Sequence, residues 1–84
     1  MTTLTVLVGG SELHLDFDAD SDAYLSGPWR IACRSPDTVS KDRQWKATKT
    51  IEVEGGSISV TRYGEEAQDC VDKIQEFVDK IEVP

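Results

Sequence analysis

Thr3 to Val8 (TLTVLV) and Ser11 to Phe17 (SELHLDF) are two short runs of apolar and polar residues separated by Gly9-Gly10. Alternation with a period of two marks a strand with one face buried. Paired glycines supply the positive φ angles that two-residue hairpin turns need. Such a turn sets Val8 opposite Ser11, Val6 opposite Leu13 and Leu4 opposite Leu15, which puts the apolar pairs on one face. The same reasoning over Thr50 to Glu54 (TIEVE), Gly55-Gly56 and Ser57 to Thr61 (SISVT) sets Val53 opposite Ile58 and Ile51 opposite Val60. Trp29 to Arg34 (WRIACR) adds a strand with Trp29, Ile31 and Cys33 on one side. The run from Gln44 extends the next strand backward, with Trp45, Ala47, Ile51 and Val53 in phase. The predicted strands are residues 3–8, 11–17, 29–34, 44–54 and 57–62. Segments 18–28 and 35–43 are rich in Asp, Ser, Gly and Pro and read as loops.

The period changes after Gly64. Ala67, Ile74 and Ile81 recur every seven residues, as do Val71 with Val78 and Cys70 with Phe77. This predicts an amphipathic helix over 65–82. Glu65 and Glu66 fall in its first turn, where carboxylates oppose the helix dipole. Asp69 with Lys73, and Glu76 with Lys80, have the favourable i,i+4 order. The apolar repeat is too short for a coiled coil, so the helix is expected to lie on the sheet.

The fold class expected is therefore α+β, a single domain over 1–84. It combines a five-stranded, mostly antiparallel sheet, two Gly-Gly hairpins and one C-terminal amphipathic helix packed on one face. Five strands make a sheet about 20 Å wide, whereas a helix is only about 10–12 Å across. The helix should cover two or three strands and leave apolar surface for a loop, a second copy or a partner to cover. A homodimer or a complex is expected.

Composition narrows the function. The chain has 84 residues and a net charge of −7, a balance that disfavours direct binding to nucleic acid or to an anionic membrane. The N-terminus carries no basic region before its short apolar run, so no signal peptide is expected. No apolar run is long enough to span a membrane. A cytoplasmic location follows as the expectation, and Cys33 and Cys70 read as reduced, buried, hydrophobe-like residues.

The stretch Glu12 to Tyr24 (ELHLDFDADSDAY) contains Glu12, Asp16, Asp18, Asp20 and Asp22 and no base. A calcium loop beginning at Asp16 or Asp18 lacks both the central glycine and the terminal glutamate that such loops use. No metal or other cofactor is expected. Charge is nonetheless segregated along the chain. Residues 1–28 hold five acids and no bases, residues 29–63 seven bases and four acids, and residues 64–84 seven acids and two bases. Glu65, Asp69, Asp72, Glu76 and Asp79 step by four and three along one helix face. Two acidic ridges of this kind suit docking on a basic protein surface, with steering from long range. Arg30, Arg34 and Lys46 in the basic middle share the outer sheet face, with Tyr24 and Tyr63 as stacking candidates. Cross-strand pairing with Glu52 and Asp16 is the expected use of these cations.

No catalytic motif is present: there is no G-x-S-x-G, phosphate loop or H-E-x-x-H. Strand parity puts both cysteines and His14 on opposite faces, which removes a Cys–His nucleophile. An enzyme is not expected. In general plan (very short, acidic, a sheet with one helix, no catalytic residues) the chain is similar to the small inhibitors that bacteriophages encode, anti-CRISPR proteins among them. That resemblance implies a viral inhibitor acting in the host cytoplasm, and it assigns no role to any one residue. The function expected is a small acidic binding protein whose partner-binding residues are the ten acids of the two ridges. The alternative is a structural or assembly protein that self-associates through its sheet.

Overall fold

The computed structural model describes residues 2–34 and 39–82. Six strands follow one another as an antiparallel meander: β1 (Thr3–Val8), β2 (Ser11–Asp18), β3 (Ala23–Ser26), β4 (Trp29–Cys33), β5 (Trp45–Val53) and β6 (Gly56–Gly64). A 3₁₀ turn over Lys41–Arg43 precedes β5, and α1 (Ala67–Glu82) follows β6. The α+β class, the antiparallel sheet and the C-terminal helix are as expected, but the strand count is six rather than five. Part of the predicted 35–43 loop, residues 35–38, lies outside the described residues.

The additional strand, β3, falls inside the segment expected to be a loop. Asp18 makes the turn into it, accepting from the Asp20 N–H at 3.3 Å and the Ser21 hydroxyl at 2.8 Å. Gly27, with φ 53, makes the turn out of it, as a positive φ at the first position of a two-residue hairpin requires. The β1–β2 register matches expectation, with Val8 opposite Ser11, Val6 opposite Leu13 and Leu4 opposite Leu15. Gly9 and Gly10 both take positive φ there.

The β5–β6 register does not match. Val53 lies opposite Gly56, Ile51 opposite Ile58 and Lys49 opposite Val60. The turn residues are Glu54 and Gly55, of which Gly55 takes positive φ, and Gly56, with φ 154, opens the strand. Moving a turn by one residue shifts the pairing by two, which changes partners but preserves faces. Ile51 and Val60 are buried accordingly.

One helix covers this sheet because the sheet curls. Six flat strands would span about 24 Å, yet α1 packs against β6, β5 and β1 and touches the margin of β4. The two edge strands therefore approach the same helix. Ala67, Cys70, Val71, Ile74 and Val78 form its buried face, meeting Val6, Leu15, Trp29, Ile31, Ala47, Ile51 and Val60. The expected broad uncovered sheet is thus reduced to separate positions. Trp29 and Ile31 are buried, while Leu7, Phe17, Val53, Ile58 and Ile81 remain exposed.

The free edge of β1 is clamped by a side chain. The Leu7 N–H donates to Gln68 Oε1 at 2.7 Å, and Gln68 Nε2 donates to the Leu7 carbonyl at 2.8 Å. A single amide thus stands in for one residue of a neighbouring strand and occupies an edge that would otherwise offer unpaired groups. Gln68 Nε2 also donates to Asp72 Oδ1 at 2.8 Å, which fixes the amide's orientation.

Candidate functional site

Alternation along β2 places Glu12, His14 and Asp16 on the sheet face that α1 does not cover, and Glu12 and Asp16 are exposed. Thr3 Oγ1 donates to Asp16 at 3.4 Å. His14 lies 3.5 Å from Glu12 through Nε2 and 3.0 Å from the Thr5 hydroxyl through Nδ1. Asp18, Asp20 and Asp22 belong to the turn between β2 and β3. Asp18 is a turn former, and Asp22 takes a left-handed backbone with φ 52.

The helix begins at Ala67 rather than at the expected 65, so Glu65 precedes it, while Asp69, Asp72, Glu76 and Asp79 lie on α1; all five are exposed. Asp72 accepts from Gln68, Asp79 accepts from Gln75 at 3.0 Å, and Glu76 pairs with Lys80 at 3.7 Å. The expected Asp69–Lys73 pair is not formed. Lys73 reaches instead across to the sheet and donates to the Tyr63 carbonyl at 2.8 Å.

The ten acids do not form one continuous surface, because β1 lies between β2 and the helix. One succession of contacts links the two ridges. Glu12 is the cross-strand neighbour of Leu7, and Leu7 is clamped by Gln68, which holds Asp72. Leu7 itself is 51% exposed. An exposed apolar side chain thus has Glu12 as its cross-strand neighbour, and its backbone is tethered by the amide that holds Asp72. Sequence reasoning missed both Leu7 and Gln68. Leu7 breaks the alternation of its strand, the one signal that marked it.

The remaining reactive side chains are separated. Cys70 is buried, and its thiol donates toward the Trp45 carbonyl at 3.3 Å and the Glu66 carbonyl at 3.4 Å. Burial pushes that thiol's pKa above its ordinary value. Cys33 is exposed, contrary to expectation, because it is the last residue of β4, where the helix reaches only marginally. Among the described residues no three His, Cys, Asp or Glu side chains gather as a metal centre would need. No described helix is long and apolar enough to cross a membrane.

The basic middle departs from expectation too. Among the described residues the ion pairs are His14–Glu12 and Lys80–Glu76, so neither Asp16 nor Glu52 neutralises Arg30, Arg34 or Lys46. The inserted β3 explains the first absence. Asp16 faces Leu25, and Leu25 faces Arg30, which leaves two strand spacings, about 10 Å, between acid and base. Glu52 lies four residues along β5 from Thr48, the partner of Arg30, or about 13 Å away. Tyr24 is also not in this patch. It packs with Phe17 (ring centroids 5.2 Å apart) and Trp45 (6.5 Å). Tyr63 alone serves the basic face, with the Arg34 and Arg43 guanidinia 4.8 and 4.6 Å from its ring centre.

The arrangement defines a small curled meander sheet closed by one helix, with an acidic side at β1, β2 and α1 and a basic side at β4–β6. Comparison with family models, curated proteins and solved structures gave no match to the chain.

Proposed function

We propose that this is a non-enzymatic binding protein, of the small phage-inhibitor type, that docks its acidic side on a basic protein surface. The observation that carries this reading is the Glu12–Leu7–Gln68–Asp72 succession. Partner-binding surfaces combine a desolvated apolar anchor with a polar rim. Leu7 supplies the anchor, and the acids of β2 and α1 supply the rim. The Gln68 clamp holds the anchor's backbone in place, which lowers the ordering cost of binding. The acids add steering toward a cationic partner.

The test is capture of a partner from the native host by the tagged protein, compared with two variants. Reversing Asp69, Asp72, Glu76 and Asp79 to lysine should abolish the complex, mainly through the association rate, and the difference should grow as salt is lowered. Leu7→Ser should raise the dissociation rate with little change in salt dependence. Binding indifferent to salt and to all five substitutions would refute the reading. A second reading, self-association into a homodimer, is favoured by Val53 and Ile58 at the β5–β6 tip, which are 41% and 40% exposed. It requires a concentration-dependent mass that Ile58→Ser abolishes and the lysine reversals do not.

A further inference from the structure

The face of β4, β5 and β6 away from α1 carries Arg30, Arg34 and Lys46, joined by Arg43 from the 3₁₀ turn. Like charges gathered on one face repel. A chain with 16 carboxylates has ample means to neutralise them, yet among the described residues no acid pairs with any of the four. Two of the three guanidinium groups are nevertheless held by backbone carbonyls. Arg30 donates to the Ser21 carbonyl at 3.2 Å, and Arg34 donates to the Arg43 carbonyl at 2.8 Å. Arg34 Nε is buried with no hydrogen-bond partner among the described residues.

Between Arg30 and Lys46 the surface dips. Ala32 and Thr48 are short side chains, and the four residues line a hollow of about 190 Å³. Thr48 Oγ1 lies 3.1 Å from Thr61 Oγ1, so one hydroxyl can accept from the other and still donate into the hollow.

We propose that this hollow is a binding site for a phosphate group, with Arg30 and Lys46 supplying charge and Thr48 a third donor. Its lining holds two cations and a hydroxyl and no carboxylate, so the ligand group it suits is an anionic acceptor. A carboxylate would answer one of the two cations, whereas a phosphate monoester at pH 7 carries about −1.5 to −2 and answers both. A nucleic-acid strand fits less well. The net charge of −7 repels a long polyanion. Tyr63, the aromatic of this face, is already covered by two guanidinia, which leaves no platform for a base. The phosphate can come from a small phosphorylated compound or from a phosphorylated side chain of another protein. The site lies on the sheet face away from α1 and does not depend on the acidic docking surface.

The test is an amide NMR titration of the intact protein with inorganic phosphate, a phosphoserine peptide, its unphosphorylated form and a single-stranded oligonucleotide. Saturable shifts centred on Ala32, Lys46 and Thr48 are expected with phosphate and the phosphopeptide. Arg30→Gln and Lys46→Gln should each weaken binding about tenfold or more. Lys46→Arg should retain it, and Lys41→Gln, outside the hollow, should leave it unchanged. Tighter binding of the phosphopeptide than of phosphate identifies a protein source, and equal binding identifies a small compound. Shifts that never saturate, shifts spread over all cations, binding that survives Arg30→Gln, or preference for the oligonucleotide would each overturn the proposal.

Discussion

Replacing Gln68 by alanine tests the way the sheet is closed. The substitution removes both hydrogen bonds between α1 and the backbone of Leu7, at 2.7 and 2.8 Å. Each neutral hydrogen bond contributes about 0.5–1.5 kcal/mol net. Leu7 is exposed, so water can partly replace the lost partners and the lower half of the range applies. Alanine's higher helix propensity returns a few tenths of a kcal/mol. The expected loss is about 0.7–1.7 kcal/mol, a sizeable fraction of the roughly 5–15 kcal/mol typical of whole domains. With a urea slope of about 1 kcal/mol per molar for so small a chain, the midpoint should fall by about 0.7–1.7 M, and hydrogen exchange at the Leu7 amide should accelerate. Gln68→Glu sharpens the test. The carboxylate can still accept from the Leu7 N–H, but it cannot donate to the Leu7 carbonyl, and it stands beside Asp72 at i,i+4. Folding should therefore raise the pKa of the introduced group above its unfolded value of about 4.3. A raised folded pKa stabilises below the unfolded value and loses that contribution as pH rises, so this variant should be worst at neutral pH and approach the parent in acid. A midpoint unchanged by Gln68→Ala, with the Leu7 amide still protected, would show that the clamp does not hold the edge.

Gly64→Ala should destabilise by about 1–3 kcal/mol in the same urea assay, because an added Cβ would sit 2.9 Å from Asp69 Cβ and 3.4 Å from Cys70 Sγ. An unchanged midpoint would mean the start of α1 has room to shift. Thiol labelling of the native protein should modify Cys33 quickly and Cys70 only after unfolding, and simultaneous labelling of both would contradict the packing described. Because burial raises the Cys70 pKa above 9.0, the buried thiol's contribution to stability is complete below that pH and declines as pH climbs toward the folded value. Stability measured at rising alkaline pH should show that decline, and Cys70→Ala should lack it.

The first hairpin and the helix were legible in the sequence because each had one solution. Gly9 and Gly10 both take positive φ, so a two-residue turn that needs both of them sets one register. On α1, the heptad pairs Ala67 with Ile74 and Val71 with Val78 all turned inward. The second hairpin had two solutions. Its turn needs positive φ at Gly55 but not at Glu54, so two glycines did not fix its position, and both registers kept Ile51 and Val60 inward. The strand β3 was illegible for a different reason. Its four residues, AYLS, are too few to show a period and are flanked by turn chemistry on both sides. Nor could local pattern show Gln68 reaching Leu7, a contact 61 residues apart in sequence.

The missed strand bears directly on how charge is distributed. In a meander each strand lies beside the one before it, so order along the chain becomes order across the sheet. The base-free segment 1–28 becomes β1–β3, and the basic segment 29–63 becomes β4–β6. The acidic helix then crosses back to β1 and joins the acidic side. Had β2 lain directly against β4, Asp16 could have met Arg30 and the two sides would have neutralised each other at their boundary. The interposed β3 puts Leu25 there instead. A four-residue strand without a charged side chain thus keeps an acidic and a basic surface apart on a body whose Cα radius of gyration is 13.0 Å. The proposed docking surface and the proposed phosphate site therefore stand on opposite sides of that strand.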